Sequence, residues 1–308
     1  MKLWLRAELV SSLKFVSLRH PRPLAAMRML PARRHWWAGF VLTRTSGLGS
    51  SLLVFDVNCG PLTPSFILSP PFMKRVLITG ANRGLGLELT RQYLERGDTV
   101  YAACRNPDAA AELKALGTTR LHLIQLDLTS EDSIAQAQKA VRRHTAALDI
   151  LINNAGIFPG AGPEDPAKQN LGALTSDNAL TVFKVNAIGP VLVAQTFLEL
   201  LKAGNKPRII SLSSGLGSLT WKASGEPYHY SASKAALNMY MRALAAEVGT
   251  YGLISVLVDP GWMRTGMGGS NAAIPPADSA KGIIRLTDQL HAEENGSFVT
   301  WQGQPVPW

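Results

Sequence analysis

The sequence predicts an α/β fold, a single doubly wound parallel sheet spanning residues 73–308. Three observations predict it. From residue 75 onward, short aliphatic runs alternate with stretches of helical spacing. The short runs are apolar at successive positions, so both faces of their sheet need cover, which flanking helices supply in parallel sheets. The first run ends in a glycine-rich turn that opens directly into a helical pattern.

The elements follow in order. "RVLITG" is a β-branched strand closed by glycine, and "LGLELTRQYLERG" is a helix stopping at Gly97. "TVYAAC" is the second strand. "PDAAAELKALG" predicts a helix with proline in its first turn and Gly117 at its end. "RLHLIQLD" is a strand, "TSEDSIAQAQKAVRRH" a helix with a capping Ser or Thr, and "DILINNAG" a strand. Long helices are expected near 176–202 and 229–249, with the strand "RIISLSS" between them and "LISVLVDPG" after. No internal repeat or linker interrupts residues 73–308, which read as one domain.

Residues 1–72 read differently. They hold nine Lys and Arg against two acids, scattered prolines, and no sustained period of 3.6 or 2. "LLVF" is too short to span a membrane, and residues 57–73 carry four prolines. Three readings compete: a disordered or normally untranslated extension upstream of a start at Met73, an Arg-rich mitochondrial transit peptide, or an added structured element. Residues 73–308 hold 22 basic against 20 acidic side chains, so their charge does not suggest nucleic-acid binding. Two cysteines, Cys59 and Cys104, provide neither a disulfide framework nor a metal cluster, which fits a reducing, cytoplasmic setting.

"TGANRGLG", residues 79–86, sits where strand becomes helix. Gly80 permits the tight turn, Gly84 lets backbone approach a pyrophosphate, and Gly86 lets helix pack on strand. The helix N-terminus offers free N–H groups to phosphate. At the end of the second strand an acid would bind the ribose 2′-hydroxyl of NAD. Here "AACRNP" has none, but Arg105 stands there and Arg83 lies in the glycine turn. Two guanidinium groups suit the 2′-phosphate of NADP. Asp127 is placed to accept from an adenine amino group or to cap the next helix. In "NNAG", Asn153 and Asn154 are suited to tie adjacent loops together, and Ala155 and Gly156 leave room for a ribose.

These motifs, with Asn186 in "VNAIG", "SLSS", "YSASK" and "DPGWMRT", occur in the order of the short-chain dehydrogenase/reductase family, which the chain resembles over 73–308. The "ANRGLG" turn and the end "GSFVTWQGQPVPW" resemble its C-factor-like branch, which includes sniffer-type carbonyl reductases. The resemblance implies a Rossmann fold and an NADP-dependent oxidoreductase reducing a small or lipophilic aldehyde or ketone. A homodimer or homotetramer is expected, with no membrane span and no metal.

Tyr230 and Lys234 are four residues apart and share a helix face, whereas Tyr228 points elsewhere. An ammonium beside Tyr230 would favour its phenolate and bring its pKa toward the working range. The resemblance makes Tyr230 the proton donor and gives Lys234 the tuning of Tyr230 and the grip on the nicotinamide ribose. It gives Ser214, last of "SLSS", the hydrogen bond to the carbonyl oxygen, with Ser213 the competing choice because 16 residues separate Ser214 from Tyr230. Asn186 would hold a water relaying protons to Lys234, a role compatible with simply bending its helix. Asn82, Leu85 and Leu128 are expected at the cofactor beside the glycines, and Pro260, Gly261, Met263 and Thr265 at the nicotinamide and pyrophosphate. "GMGGSNAAIPP" is expected to form a substrate lid, with Trp221, Trp262 and Met267 as candidate pocket walls. An NADP-binding signalling protein with little turnover is the alternative.

Overall fold

The computed structural model describes residues 73–159 and 170–308. The expectations for residues 1–72 lie outside the described residues.

Seven parallel strands form one sheet in the order β3-β2-β1-β4-β5-β6-β7. They are β1 (Arg75–Thr79), β2 (Thr99–Cys104), β3 (Leu121–Gln125), β4 (Ile150–Asn153), β5 (Arg208–Leu212), β6 (Ile254–Asp259) and β7 (Phe298–Thr300). The helices are α1 (Gly84–Glu95), α2 (Ala111–Ala115), α3 (Glu131–Arg142), α4 (Ser176–Phe183), α5 (Gly189–Lys202), α6 (Tyr228–Val248) and α7 (Pro276–Gln289). The strands are apolar throughout because both faces are covered. Val76 and Ile78 pack under α1 and α7, with Leu85, Leu89, Ile283 and Ile284. Leu77 between them faces the other way, toward Ile134 of α3 and Val193 and Phe197 of α5. A smaller cluster joins Leu237 and Met241 of α6 to Leu257 and Phe298.

The strand order reverses between β1 and β4, whose carboxyl ends at Thr79 and Asn153 lie side by side. Ligands of open α/β sheets bind at this switch point.

Several local expectations change. The second helix is five residues long, and Pro107 stands ahead of it in a turn rather than within it. Its carbonyl accepts from Ala110 N–H, and Asn106 Oδ1 accepts from Ala109 N–H, so these groups close a turn instead of a helical start. The capping hydroxyl of α3 is that of Ser130, which accepts from Ser133 N–H at 3.2 Å. Asp127 is therefore not the cap. Its carboxylate accepts from the backbone and side chain of Thr129 at 2.9 and 2.8 Å, a tight local turn. Helix α7 and strand β7 were not anticipated. The stretch Ser176–Lys202 is long and apolar enough to cross a membrane by length and composition. Here it is α4 and α5, joined by one π-helical turn at Lys184–Ile188, and Val193, Ala194 and Phe197 are fully buried against the sheet.

Candidate active site

The glycine turn is shaped by contacts that leave no space for a side chain. Gly80 has φ +64°, and a Cβ there would lie 2.8 Å from Ala155 Cα. A Cβ at Gly86 would lie 2.2 Å from the Gly80 carbonyl oxygen, so helix and turn touch backbone to backbone. Asn154 fixes the same turn from β4, its Nδ2 donating to the carbonyls of Thr79 (2.7 Å) and Gly80 (3.0 Å). Thr79 Oγ1 accepts from the amides of Asn154 and Ala155, both at 3.0 Å. Asn153 is buried and ties β4 to Ser211 of β5. The first turn of α1 has no side-chain cap and no acid, so its amides and positive dipole end stay available to an anion.

A cleft of about 770 Å³ runs from this turn along the carboxyl edge of the sheet. Asn82, Arg83, Gly84 and Leu85 line one end, together with Arg105, Asp127 and Leu128. Arg83 and Arg105 are exposed, and neither is held in an ion pair among the described residues. The Asp127 carboxyl lies below its usual range because Thr129 N–H and the Thr129 hydroxyl bind its charged form, with Arg105 adding to this. Further along are Asn154, Ala155 and Gly156, then Tyr230 and Lys234, and on the opposite lip Pro260, Met263 and Thr265. Gly86 and Gly261 stand behind the lining. Gly261, at φ +79°, turns the chain after β6, its amide donating to Asp259 Oδ1 at 3.0 Å. Thr265 comes within 3.4 Å of where a Gly84 side chain would begin, so the two lips nearly meet there.

Tyr230 and Lys234 are both buried on one face of α6, while Tyr228 is the first residue of that helix and is exposed. The Lys234 ammonium donates to the Leu212 carbonyl at 2.7 Å and sits 5.7 Å from the Tyr230 ring centre. The Ser214 hydroxyl lies close enough to Tyr230 to favour its phenolate, and its Oγ accepts from Leu216 N–H at 3.2 Å. Ser213 borders the cleft, but its Oγ is engaged with Asn238 Oδ1 at 2.5 Å. Burial decides the electrostatics: it pushes the Tyr230 phenol up to about 12 and the Lys234 ammonium down to about 8. The expected drop of the Tyr230 pKa toward neutrality is thus reversed here. Desolvation of the phenolate outweighs every stabilising contact, and the nearby Asp259 carboxylate opposes phenolate formation too.

Asn186 is fully buried in the π-helical turn. Its amide accepts from Ile157 N–H at 2.8 Å and donates to the Ile157 carbonyl at 2.9 Å and to Ser233 Oγ at 3.1 Å. Its side chain thus splices the "NNAG" segment to the helix, and the widened turn accompanies that detour. Of the anticipated pocket walls, Met267 borders the cleft, whereas Trp221 and Trp262 are exposed and outside its lining. The "GMGGSNAAIPP" segment is folded back, with Met263 bridged to Ile274 and the Arg264 guanidinium donating to the carbonyls of Ala272 and Ala273. Thr79, Asp259 and Phe158 join the site beyond the residues expected from sequence, and the Phe158 ring meets the Tyr230 ring edge-on at 4.6 Å. Phe158 follows "NNAG" by two residues and Asp259 precedes "PG", so their positions beside known motifs were the available signal.

Fold and site together define a dinucleotide-binding oxidoreductase of the α/β class. A family model described as short chain dehydrogenase matches residues 74–274, and the chain belongs to that family. C-signal of Myxococcus xanthus is 39% identical over 167 residues, covering 53% of this chain and 95% of that protein. The NADPH-bound carbonyl reductase from chicken fatty liver matches with a TM-score of 0.70 at 31% identity, covering 77% of this chain and 99% of its own. Carbonyl reductase Sniffer of D. melanogaster matches with a TM-score of 0.71 at 31% identity, covering 77% and 100%. These similarities place the chain in the C-factor-like, sniffer-type branch.

Proposed function

We propose that this protein is an NADP(H)-dependent carbonyl reductase acting on small or lipophilic aldehydes and ketones. The observation that carries the reading is the juxtaposition of Tyr230 and buried Lys234 along one cleft with the glycine turn, with Ser214 beside Tyr230 just past β5. The residues present fit the cofactor. Glycines stand where a Cβ would fill the cradle, Arg105 follows β2 where an NAD-binding acid would sit, and Arg83 is exposed in the glycine turn at the same end of the cleft. A carbonyl reductase bound to NADPH and a short-chain dehydrogenase/reductase with bound NADP among the similar structures support the same choice.

Arg83 and Arg105 would hold the 2′-phosphate, the α1 amides the pyrophosphate, and Lys234 the nicotinamide ribose. The dinucleotide, when bound, supplies the hydride that reaches the carbonyl carbon. Tyr230 gives its phenolic proton to the carbonyl oxygen, and a raised pKa keeps that proton in place until it is needed. Ser214 holds the same oxygen by a hydrogen bond. Lys234, one helical turn on, stabilises the phenolate left behind and thereby lowers the cost of proton transfer. Asn186 holds the wall behind Gly156, whose added Cβ would come within 3.4 Å of the Asn186 Oδ1 and 3.7 Å of the Lys234 Nζ.

The likeness to C-signal favours a second reading, an NADP-binding signalling protein with little essential turnover. One experiment separates the two: oxidation of NADPH by the full chain against a panel of aromatic and aliphatic carbonyls. Turnover dependent on Tyr230 supports the reductase, and tight NADPH binding with no turnover on any member supports the signalling role.

A further inference from the structure

The segment after β7 folds back on itself and reaches the loop that separates Ser214 from Tyr230. Thr300 N–H donates to the Gln304 carbonyl at 2.7 Å, and Val306 N–H donates to the Phe298 carbonyl at 2.8 Å. Val306 is buried in the cluster that Leu237 and Met241 of α6 share with Phe298. Trp308 follows, its indole 5.7 Å from the Phe298 ring and under the Arg242 guanidinium at 4.5 Å. Its main-chain oxygen accepts twice from one residue, Thr220: from the amide at 2.9 Å and from the hydroxyl at 2.6 Å.

Thr220 belongs to a loop whose tip is also held by the Trp221 N–H, which donates to Ser218 Oγ at 3.2 Å, and by the Lys222 ammonium, which donates to Ser231 Oγ of α6 at 3.1 Å. The neighbouring Leu219 and Trp221 are 78% and 51% exposed, too much apolar surface for burial to hold the tip in place. The loop nevertheless bears on the site at both ends. It begins at Gly215, directly after Ser214, and the Trp221 ring packs 3.2 Å from where a Gly215 side chain would start. It ends at Pro227, three residues before Tyr230.

We infer that Trp308 is a positioning residue, clamping the loop of residues 215–227 to β7 and α6 and so holding in place the chain that joins Ser214 to Tyr230. None of residues 215–227 borders the cleft, so the clamp acts on the site only through the two ends of the loop, at Ser214 and at Tyr230. It therefore bears on how a carbonyl substrate is held between those two side chains and leaves Arg83, Arg105 and the glycine turn alone. The inference rests on the reductase reading for its substrate effect, but the mechanical link does not.

The test uses the full chain and the variants Thr220→Val, Trp308→Ala and the double variant. Hydrogen exchange is followed by mass spectrometry over residues 215–226, with residues 76–95 as the internal reference. Thr220→Val is expected to speed exchange in the loop by about 2- to 10-fold, the factor carried by one net hydrogen bond, and Trp308→Ala, which keeps the main-chain acceptor but removes the indole that seats it, by a comparable factor, with no change in the reference. The double variant should match Trp308→Ala, since both break one clamp. With NADPH saturating, KM for a bulky aromatic ketone should rise in both single variants while kcat and NADPH affinity stay within about twofold. Unchanged loop exchange in both single variants, equal acceleration at residues 76–95, or accelerated loop exchange with an unmoved KM would each overturn the clamp. Should Trp308→Ala fold poorly, Thr220→Val alone decides, because it removes only an exposed hydroxyl donor. A wild-type chain that turns over no carbonyl would sink the reductase reading and leave the loop-exchange result to judge the clamp.

Discussion

At Lys234 burial penalises the ammonium, and at Tyr230 it penalises the phenolate, so folding shifts each side chain's balance toward its neutral form. The sign of each effect on stability differs. Lys234 has a folded pKa of about 8 against an ordinary 10.5. Below pH 8 both states hold the proton, and the folded one carries the full cost of the buried charge. As pH rises from 8 toward 10.5, the folded chain sheds the proton first and gains stability. Tyr230, raised from 10.0 to about 12, acts oppositely, but only above pH 10, where the unfolded chain ionises first. Between pH 8 and 10, therefore, the ligand-free wild type should gain melting temperature relative to Lys234→Met. Parallel curves for the two proteins would show that Lys234 is not desolvated as described. Arg105 lends itself to a second residue-level prediction. Arg105→Asp replaces a 2′-phosphate partner with a repelling charge, so NADPH affinity should fall by at least about tenfold while NADH affinity holds or improves. Equal losses for both cofactors, measured by fluorescence titration, would move the phosphate site elsewhere.

Helix starts and strand ends carry the geometry one level up. Ser130 caps α3, and Ser130→Ala should cost about 1 kcal/mol in denaturant unfolding. An equal loss for Asp127→Ala would be unexpected from the structure, since Asp127 closes a turn of its own with Thr129. The glycine turn is stricter. Gly86→Ala would drive a methyl to within 2.2 Å of the Gly80 oxygen, so the turn must open, and NADPH binding should be lost well before the fold is. Calorimetry showing intact binding in that variant would mean the turn yields more easily than its contacts imply. The central strands and the glycine turn were legible in the sequence because their requirements are local: runs of Val, Leu and Ile, and glycines between a strand and a helix. The hydroxyl of Ser214 in contact with Tyr230, against that of Ser213 in contact with Asn238, was not. Adjacent serines differ only in which way the chain turns after β5, and tertiary packing sets that. The pKa of Tyr230 was misjudged for the same reason, since spacing reveals a neighbouring ammonium but not the depth of burial. Strand β7 escaped notice because three residues followed by "WQGQPVPW" carry too short a pattern to distinguish from a loop.

For the whole molecule, one sheet brings together residues far apart in sequence: Arg83 after β1, Arg105 after β2, Ser214 after β5 and Pro260 after β6 all lie along its carboxyl edge. The described core clusters are built from residues between Val76 and Val306. A chain beginning at Met73 should therefore melt cooperatively and bind NADPH as the full chain does; a broad, uncooperative melt of that shorter chain would make residues 1–72 part of the fold. The same assembly places one tyrosine of the pair at the end of "GEPYHY" inside the cleft and leaves the other outside it. The most direct test is steady-state carbonyl reduction under saturating NADPH by Tyr230→Phe and Tyr228→Phe, side by side. The account predicts that Tyr230→Phe still binds NADPH but loses about 10²–10⁴-fold in turnover, the loss typical of a removed acid, while Tyr228→Phe stays within a few fold of wild type. An active Tyr230→Phe enzyme beside an inactive Tyr228→Phe enzyme would contradict it.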